Sequence, residues 1–297
     1  MVDSAAQYGI LVGVDGSAAS DAAVRFAARE AALHETPLTL LHVVAPVPSW
    51  ATSSEQSKIA AAWKANARDV IEQAHKIAET AADKSVLPDV RSEVTCSTVA
   101  PMLIGASERA RMIVVGSNGM GAVGRLVMGS VSDAVLHRAH CPVAIIHDND
   151  GSADTGAPVL VGLDGSPASE GALQLAFDEA SRRKVELVAL HAWSDVGVFP
   201  ILGMDWRDYE TKGAQLLAQQ LAQLQVQFPD VRVQRRLVCD KPARWLIEES
   251  EHAQLVVVGS HGRGGGLPGM RLGSVSSALA HATRTPIVIH RTEGIDR

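Results

Sequence analysis

Ile10–Ser17 reads ILVGVDGS, and 149 positions later Val159–Ser166 reads VLVGLDGS. The apolar part of each run has no polar alternation, as expected of a strand buried on both faces, and strands of that kind belong to parallel sheets covered by helices on both sides. Working outward, three more stretches return in the same order. MIVVGSNG (Met112–Gly119) returns as LVVVGSHG (Leu255–Gly262), GSVS (Gly129–Ser132) as GSVS (Gly273–Ser276), and CPVAII (Cys141–Ile146) as TPIVIH (Thr285–His290). Four ordered matches at this offset mean a duplicated domain, each copy with its own core, because solenoid repeats recur every ~20–50 residues. The seam falls in Asp148–Pro158, DNDGSADTGAP, where Gly, Asp, Ser and Pro gather without apolar periodicity. The expected domains are 1–147 and 158–297, with 148–157 as the linker.

Within the first copy, apolar runs at Ile10–Val14, Leu38–Val44, Val90–Val94, Met112–Val115 and Val143–Ile146 alternate with amphipathic stretches. Those stretches, Ala18–His34, about Gln56–Lys84, Pro101–Arg109 and Ser130–Arg138, are predicted helices. The second copy repeats the plan with strands near Val159–Leu163, Val185–Ala192, Val231–Val238, Leu255–Val258 and Pro286–His290. Strand and helix in strict alternation predict an α/β fold of two tandem, doubly wound, Rossmann-like domains.

Composition excludes several functions. The 297 residues are 46% hydrophobic and 20% charged, enough to build buried cores and too apolar for a disordered chain. The net charge is −6, and both halves are acidic, with 12 basic and 16 acidic residues up to Asp150 and 15 and 17 after it, so nucleic acid is not an expected partner. Three cysteines without C-x-x-C spacing form neither a disulfide framework nor a zinc site. Cys96, Cys141 and Cys239 are expected to be buried small apolar groups without partners across the repeat. With no leader-like start and no apolar stretch long enough for a membrane span, the cytoplasm is the expected compartment.

Doubly wound sheets take ligands at the carboxyl ends of their strands, where Asp15, Gly116, Asp164 and Gly259 sit. Gly116-x-x-Gly119 is followed after nine residues by Gly129-Ser130, and Ser130 opens a predicted helix. Glycine lets the backbone approach a ligand, and a helix N-terminus offers amides and the positive end of a dipole, so the pattern suits phosphate. The bland alternative is that these glycines turn the chain and Ser130 caps a helix. Its recurrence in both copies favours the ligand.

With these residues the chain resembles the universal stress protein family, in its tandem two-domain, ATP-binding branch. The family signature G-x2-G-x9-G-[ST] is matched by Gly116, Gly119, Gly129 and Ser130. The second copy runs Gly259, Gly262, then ten residues to Gly273 and Ser274, one residue longer than the signature. The resemblance implies a five-stranded parallel sheet in order 3-2-1-4-5 in each domain. It also implies ATP, with or without Mg2+, across the ends of strands one, two and four. Asp15 and Asp164 would then face the ribose, with Gly13 and Gly162 letting the first strand come close, and Val43 and Ala192 would meet the adenine. Ser117, Val131 and Ser132 would join the first signature around the phosphates. Ser260, Val275 and Ser276 would do so in the second copy. Arg125, Arg263 and Arg271 would balance charge there, or else face solvent.

His42 and His191 end matching strands and are expected to pack rather than react. The loops Ala45–Ser57, with Trp50, and Ser194–Asp205, with Phe199, would either fold over the nucleotide or act as linkers. Three functions compete at this stage. One is a regulatory ATP-binding protein acting in stress survival or growth restraint through an unidentified protein partner. Another is a slow ATPase or phosphoryl transferase on the same cradle, and the third is a scaffold with vestigial sites. No catalytic residue is assigned. Apolar fifth strands lead to the expectation of an internal pseudo-dimer and of a homodimer.

Overall fold

The computed structural model describes residues 7–47, 49–50, 52–82, 89–119, 128–148, 155–192, 206–262 and 272–291, with the side chains of 206–209 left out of the description. The chain divides into two compact units, Met1–Gly151 and Ser152–Arg297.

In the first unit β1 (Ile10–Gly13), α1 (Ala18–Leu33), β2 (Leu38–Val44), α2 (Ser53–Ala81), β3 (Val90–Cys96), α3 (Val99–Ser107), β4 (Met112–Gly116), α4 (Ser130–Arg138) and β5 (Val143–Ile146) follow in order. All its strand pairs are parallel, β1 with β2 and β4, β2 with β3, and β4 with β5, so the order is β3-β2-β1-β4-β5. From β1 the chain steps outward twice in one direction and then, from β4, in the other. Right-handed crossovers therefore put α1 and α2 on one face and α3 and α4 on the opposite one. Contacts of α1 with α2 and of α3 with α4 fit that division.

The second unit repeats it with β6 (Val159–Leu163), α5 (Pro167–Arg183), β7 (Leu187–Ala192), α6 (Trp206–Gln227), β8 (Val233–Val238), α7 (Pro242–Ser250), β9 (Leu255–Gly259), α8 (Ser274–Ala282) and β10 (Ile287–His290). The strand order is β8-β7-β6-β9-β10, again all parallel. The inner strands are wholly apolar and buried: Ile10, Leu11, Val12, Ile113 and Val114 in one unit, Val159, Val161, Val256 and Val257 in the other.

Besides two-residue shifts at element ends, such as α3 starting at Val99 rather than Pro101 and β7 at Leu187 rather than Val185, three details depart from the sequence expectation. Helix α2 begins at Ser53 rather than near Gln56, because Thr52 and Glu55 form a reciprocal cap. The Thr52 hydroxyl accepts from the Glu55 amide at 3.4 Å, and the Glu55 carboxylate accepts from the Thr52 amide at 2.8 Å. Strand β3 runs on to Cys96 and is largely exposed, since it pairs only with β2 and lies at the edge of its unit's sheet order. The third departure concerns cysteine. Cys141 is buried as expected, but Cys96 and Cys239 are exposed, and they are not unmatched. His42 lies opposite Val94 in one register and His191 opposite Leu237 in the other, so Cys96 and Cys239 each lie two residues beyond equivalent positions. The same equivalence is present in the sequence, where each cysteine stands 16 residues before the matched runs that begin at Met112 and Leu255, and the pairing register confirms it.

Candidate functional site

Helices in each unit begin in two different ways. Helices α1 and α5 start with a serine whose hydroxyl accepts an amide hydrogen bond, Ser17 from Ser20 N and Ser166 from Ser169 N, both at 3.2 Å. Helices α4 and α8 start with glycine, Gly129 and Gly273, and neither has a side-chain cap. A side-chain cap satisfies one of a helix's leading amides, whereas a start without one, as also at Thr98 of α3 and Lys241 of α7, leaves them, with the positive end of the dipole, to water or an anion.

In the first unit the uncapped end of α4 opens onto a cavity of about 560 Å³ at the carboxyl ends of the strands, within the range of small-molecule sites. Nine of the expected residues line it: Gly13, Asp15, Val43, Gly116, Gly119, Gly129, Ser130, Val131 and Ser132. Ser117 stands behind the wall, buried. Its amide donates to Ile146 O at 2.7 Å and its carbonyl accepts from Gly129 N at 2.8 Å, so it holds the loop in shape. Arg125, Arg263 and Arg271 lie outside the described residues. Trp50 is 81% exposed and does not cover the cavity, while Ser194–Asp205 with Phe199 is outside the description.

The sequence reading missed Val99 and Leu103 of α3, which line the cavity as one wall, and also Val14, Ser20, Leu41, Val115, Asn118 and Met128. The i, i+4 spacing of Val99 and Leu103 was a visible signal for a shared helical face. Gly13 makes room for this wall, because a Cβ there would lie 3.3 Å from Leu103 Cδ2. The cavity is thus apolar along α3 and β2, with a carboxylate and a ring of amides and hydroxyls at the other end.

The glycines have reasons beyond nearness to a ligand. At Gly116 a Cβ would lie 2.7 Å from the Ala19 carbonyl carbon, and at Gly259 it would lie equally close to Ala168, so the first turn of α1 or α5 rests directly on the strand end. At Gly119 and Gly262 a Cβ would come within 2.6 Å of an Asp15 or Asp164 Oδ2. That nearness puts the carboxylate and the glycine loop side by side in both units. The other oxygen is held in place: Asp15 Oδ1 accepts from Ser17 N at 2.9 Å, and Asp164 Oδ1 accepts from Ser166 N at 3.0 Å and from Ser166 Oγ at 2.7 Å.

Ser132 and Ser276 donate their hydroxyl protons to Gly116 O and Gly259 O, both at 2.6 Å, which welds α4 and α8 to the ends of β4 and β9. Their side chains lock the loop. His42 and His191 act likewise, with Nδ1 2.7 Å from Val14 O and 2.8 Å from Leu163 O, so they pack strand ends as expected. In the second unit Gly162 and Asp164 lie at the end of β6, Ala192 ends β7, Gly259 with Ser260 and Gly262 follows β9, and Gly273, Ser274, Val275 and Ser276 open α8. The structure brings Asp164 together with Gly262, and Gly273 together with Ser260 and Gly262.

The profile of the Universal stress protein family matches residues 9–147 and again 157–291. This chain belongs to that family. A universal stress protein of Mycolicibacterium smegmatis is 53% identical over 293 residues, covering 98% of this chain and 99% of the relative. One from Mycobacterium tuberculosis is 48% identical over 288 residues, covering 96% and 97%. Among solved structures, a universal stress protein from Archaeoglobus fulgidus covers 95% of this chain and 98% of its own, with a TM-score of 0.68 at 20% identity, which speaks for the fold. Among the described residues of this universal stress protein, no helix is long and apolar enough to cross a membrane.

Proposed function

We propose that the protein binds ATP, one molecule in each unit, and that occupancy favours a conformation that engages a protein partner during stress or growth restraint. The observation that carries the reading is the meeting, in one cavity, of an uncapped Gly129–Ser130 helix start with the Asp15 carboxylate. The amides suit a polyphosphate, the carboxylate can accept two hydroxyl hydrogen bonds from a ribose, and the Val43, Val99 and Leu103 wall suits a base. Recurrence of the same contacts around Asp164, Gly262 and Gly273 supports a second molecule. Mg2+ as a companion ion belongs to the same proposal, without assigned ligands.

The test is to denature the purified protein, identify any nucleotide released, and titrate ATP into the emptied chain. Two sites are expected. Saturation at 100 times the dissociation constant adds about 2.7 kcal/mol per site, so ATP should raise the melting temperature. No released nucleotide and no titratable binding would overturn the reading. Asp15→Ala and Asp164→Ala should each remove one site, and together both, while the chain still folds.

As a switch the protein needs occupancy rather than turnover, and ATP hydrolysis slower than about one per minute is expected, far below the ~1–10³ per second of efficient enzymes. Faster turnover would promote the ATPase reading. Cells carrying the double variant at equal abundance should lose the stress or growth phenotype; full rescue would favour a scaffold instead. The homodimer is also part of this proposal, and sedimentation at twice the 31.3 kDa chain mass is expected.

A further inference from the structure

A serine stands five residues after each of the two site aspartates, Ser20 after Asp15 in the first turn of α1 and Ser169 after Asp164 in the first turn of α5. Both are buried, at 4% and 3% exposure, and the amide of each donates to its helix cap, Ser17 or Ser166. Their hydroxyls differ. Ser169 Oγ donates to Ser166 O at 2.9 Å, a bond back along its own helix that a serine so placed can make. Ser20 Oγ instead accepts from Asp15 N at 3.1 Å. A hydroxyl has one proton and two lone pairs. Ser169 has therefore given its proton to its own backbone, whereas Ser20 has used a lone pair and kept its proton. Among the described residues nothing accepts that proton, and Ser20 lines the cavity of the first unit.

We infer that Ser20 is a ligand-binding residue of the first unit, its hydroxyl donating to a phosphate oxygen of the bound nucleotide, and that Ser169 makes no such contact in the second. The inference rests on the nucleotide reading above and adds to it a residue outside the glycine loop. Its place in the cavity points to the phosphates. The residue before it, Ala19, rests on the end of β4, where a Cβ on Gly116 would lie 2.7 Å from the Ala19 carbonyl carbon. Ser132, in the first turn of α4, donates to the carbonyl of that same Gly116 at 2.6 Å. The first turns of α1 and α4 thus converge on one strand end, from which the glycine loop departs. The apolar lining, Val43, Val99 and Leu103, belongs to β2 and α3. A hydroxyl donating to a phosphate oxygen makes a charge-assisted hydrogen bond, roughly twice as strong as one to a neutral acceptor. It also supplies the partner that a buried donor ordinarily has.

The test is calorimetric titration of ATP into the full chain carrying Asp164→Ala, which leaves the first site alone, with and without Ser20→Ala. The dissociation constant should rise about tenfold, the lower end of what a hydrogen bond to a charged group contributes. An unchanged constant overturns the inference. Ser20→Cys, which keeps the side chain's shape with a weak donor, should show the same loss and serves in place of Ser20→Ala if that variant does not fold. Ser20 also holds the Asp15 amide, so the titrations are repeated with 2′,3′-dideoxy-ATP, which has no ribose hydroxyls for Asp15 to bind. The loss should persist, because the phosphates are intact. A loss that vanishes with this ligand shows that Ser20 acts on the ribose, directly or through Asp15, and overturns the phosphate contact. Ser169→Ala in an Asp15→Ala chain should leave the ATP affinity of the second site unchanged, and an equal loss there overturns the contrast between the serines. A wild-type chain that takes up no nucleotide overturns the nucleotide reading itself.

Discussion

The second unit is a copy of the first in which the backbone of the site has been kept and its charge changed. Asp15 and Asp164 accept from the amide two residues on, and a Cβ added to Gly119 or Gly262 would come equally close to those carboxylates. Ser132 and Ser276 fasten their helices through identical 2.6 Å bonds. Asn118 has become His261, Asp133 has become Ser277, and the Ser166 hydroxyl shares its one proton between Asp164 Oδ1 at 2.7 Å and the His261 carbonyl at 3.2 Å. Backbone contacts without slack admit one residue type, while side chains facing a cavity or solvent are free to diverge. Two copies of one frame can thus come to differ in side-chain chemistry while keeping the same backbone.

The sharpest way to break this comparison uses the paired glycines. Gly119→Val and Gly262→Val should each displace a carboxylate, because the new side chain meets its outer oxygen first. ATP binding at the altered site should weaken about tenfold to hundredfold, the scale of a charge-assisted hydrogen bond, with equal losses in the two units and a melting temperature close to wild type without ligand. Unequal losses in titration would show that the carboxylates do different work.

Gly116→Ala and Gly259→Ala should act on stability instead, since the added methyl meets the backbone of Ala19 or Ala168, which cannot swing aside. Each is expected to cost about 1–3 kcal/mol, as overpacking does, and equally in both units; chemical denaturation measures it. Ser166→Ala should cost more than Ser17→Ala. Both remove a helix cap, worth about 1 kcal/mol, but Ser166 also ties the β6–α5 connection to the neighbouring loop. Equal melting temperatures for the two variants would remove that extra tie.

The smallest effect concerns the matched thiols. Partial desolvation, with the Asp240 carboxylate next to it, pushes the Cys239 thiol above its ordinary value. A raised value means less thiolate at pH 8, so Cys239 should be alkylated more slowly than a small free thiol. Peptide mass spectrometry after timed iodoacetamide treatment reads the rate, and a faster reaction would contradict the assignment.

How far the sequence reached can be argued from particular residues. Strand identity was legible in ILVGV and MIVVG because a strand buried on both faces must be apolar throughout. The duplication and the loop glycines were legible because close contacts recur in both copies: a Cβ on Gly116 would strike the Ala19 backbone, and one on Gly119 would crowd the Asp15 carboxylate. The start of α2 was visible in Thr52 and Glu55, had the reciprocal cap been read. The sequence could not show what Ser132 and Ser276 do, since a serine in a phosphate-type loop looks the same whether its proton goes to a ligand or to a strand-end carbonyl. Nor could it show the α3 wall as part of the site, because that depends on which elements pack side by side; the match of Cys96 with Cys239 was legible in their common distance of 16 residues from Met112 and Leu255 but went unread. Local sequence determined the elements, because apolar runs, helix caps and turns act within a few residues, and repetition of the glycines marked positions whose reason is tertiary. Pairing register and packing decided which side chains share the cavity, because those distances are set by residues far apart in the chain.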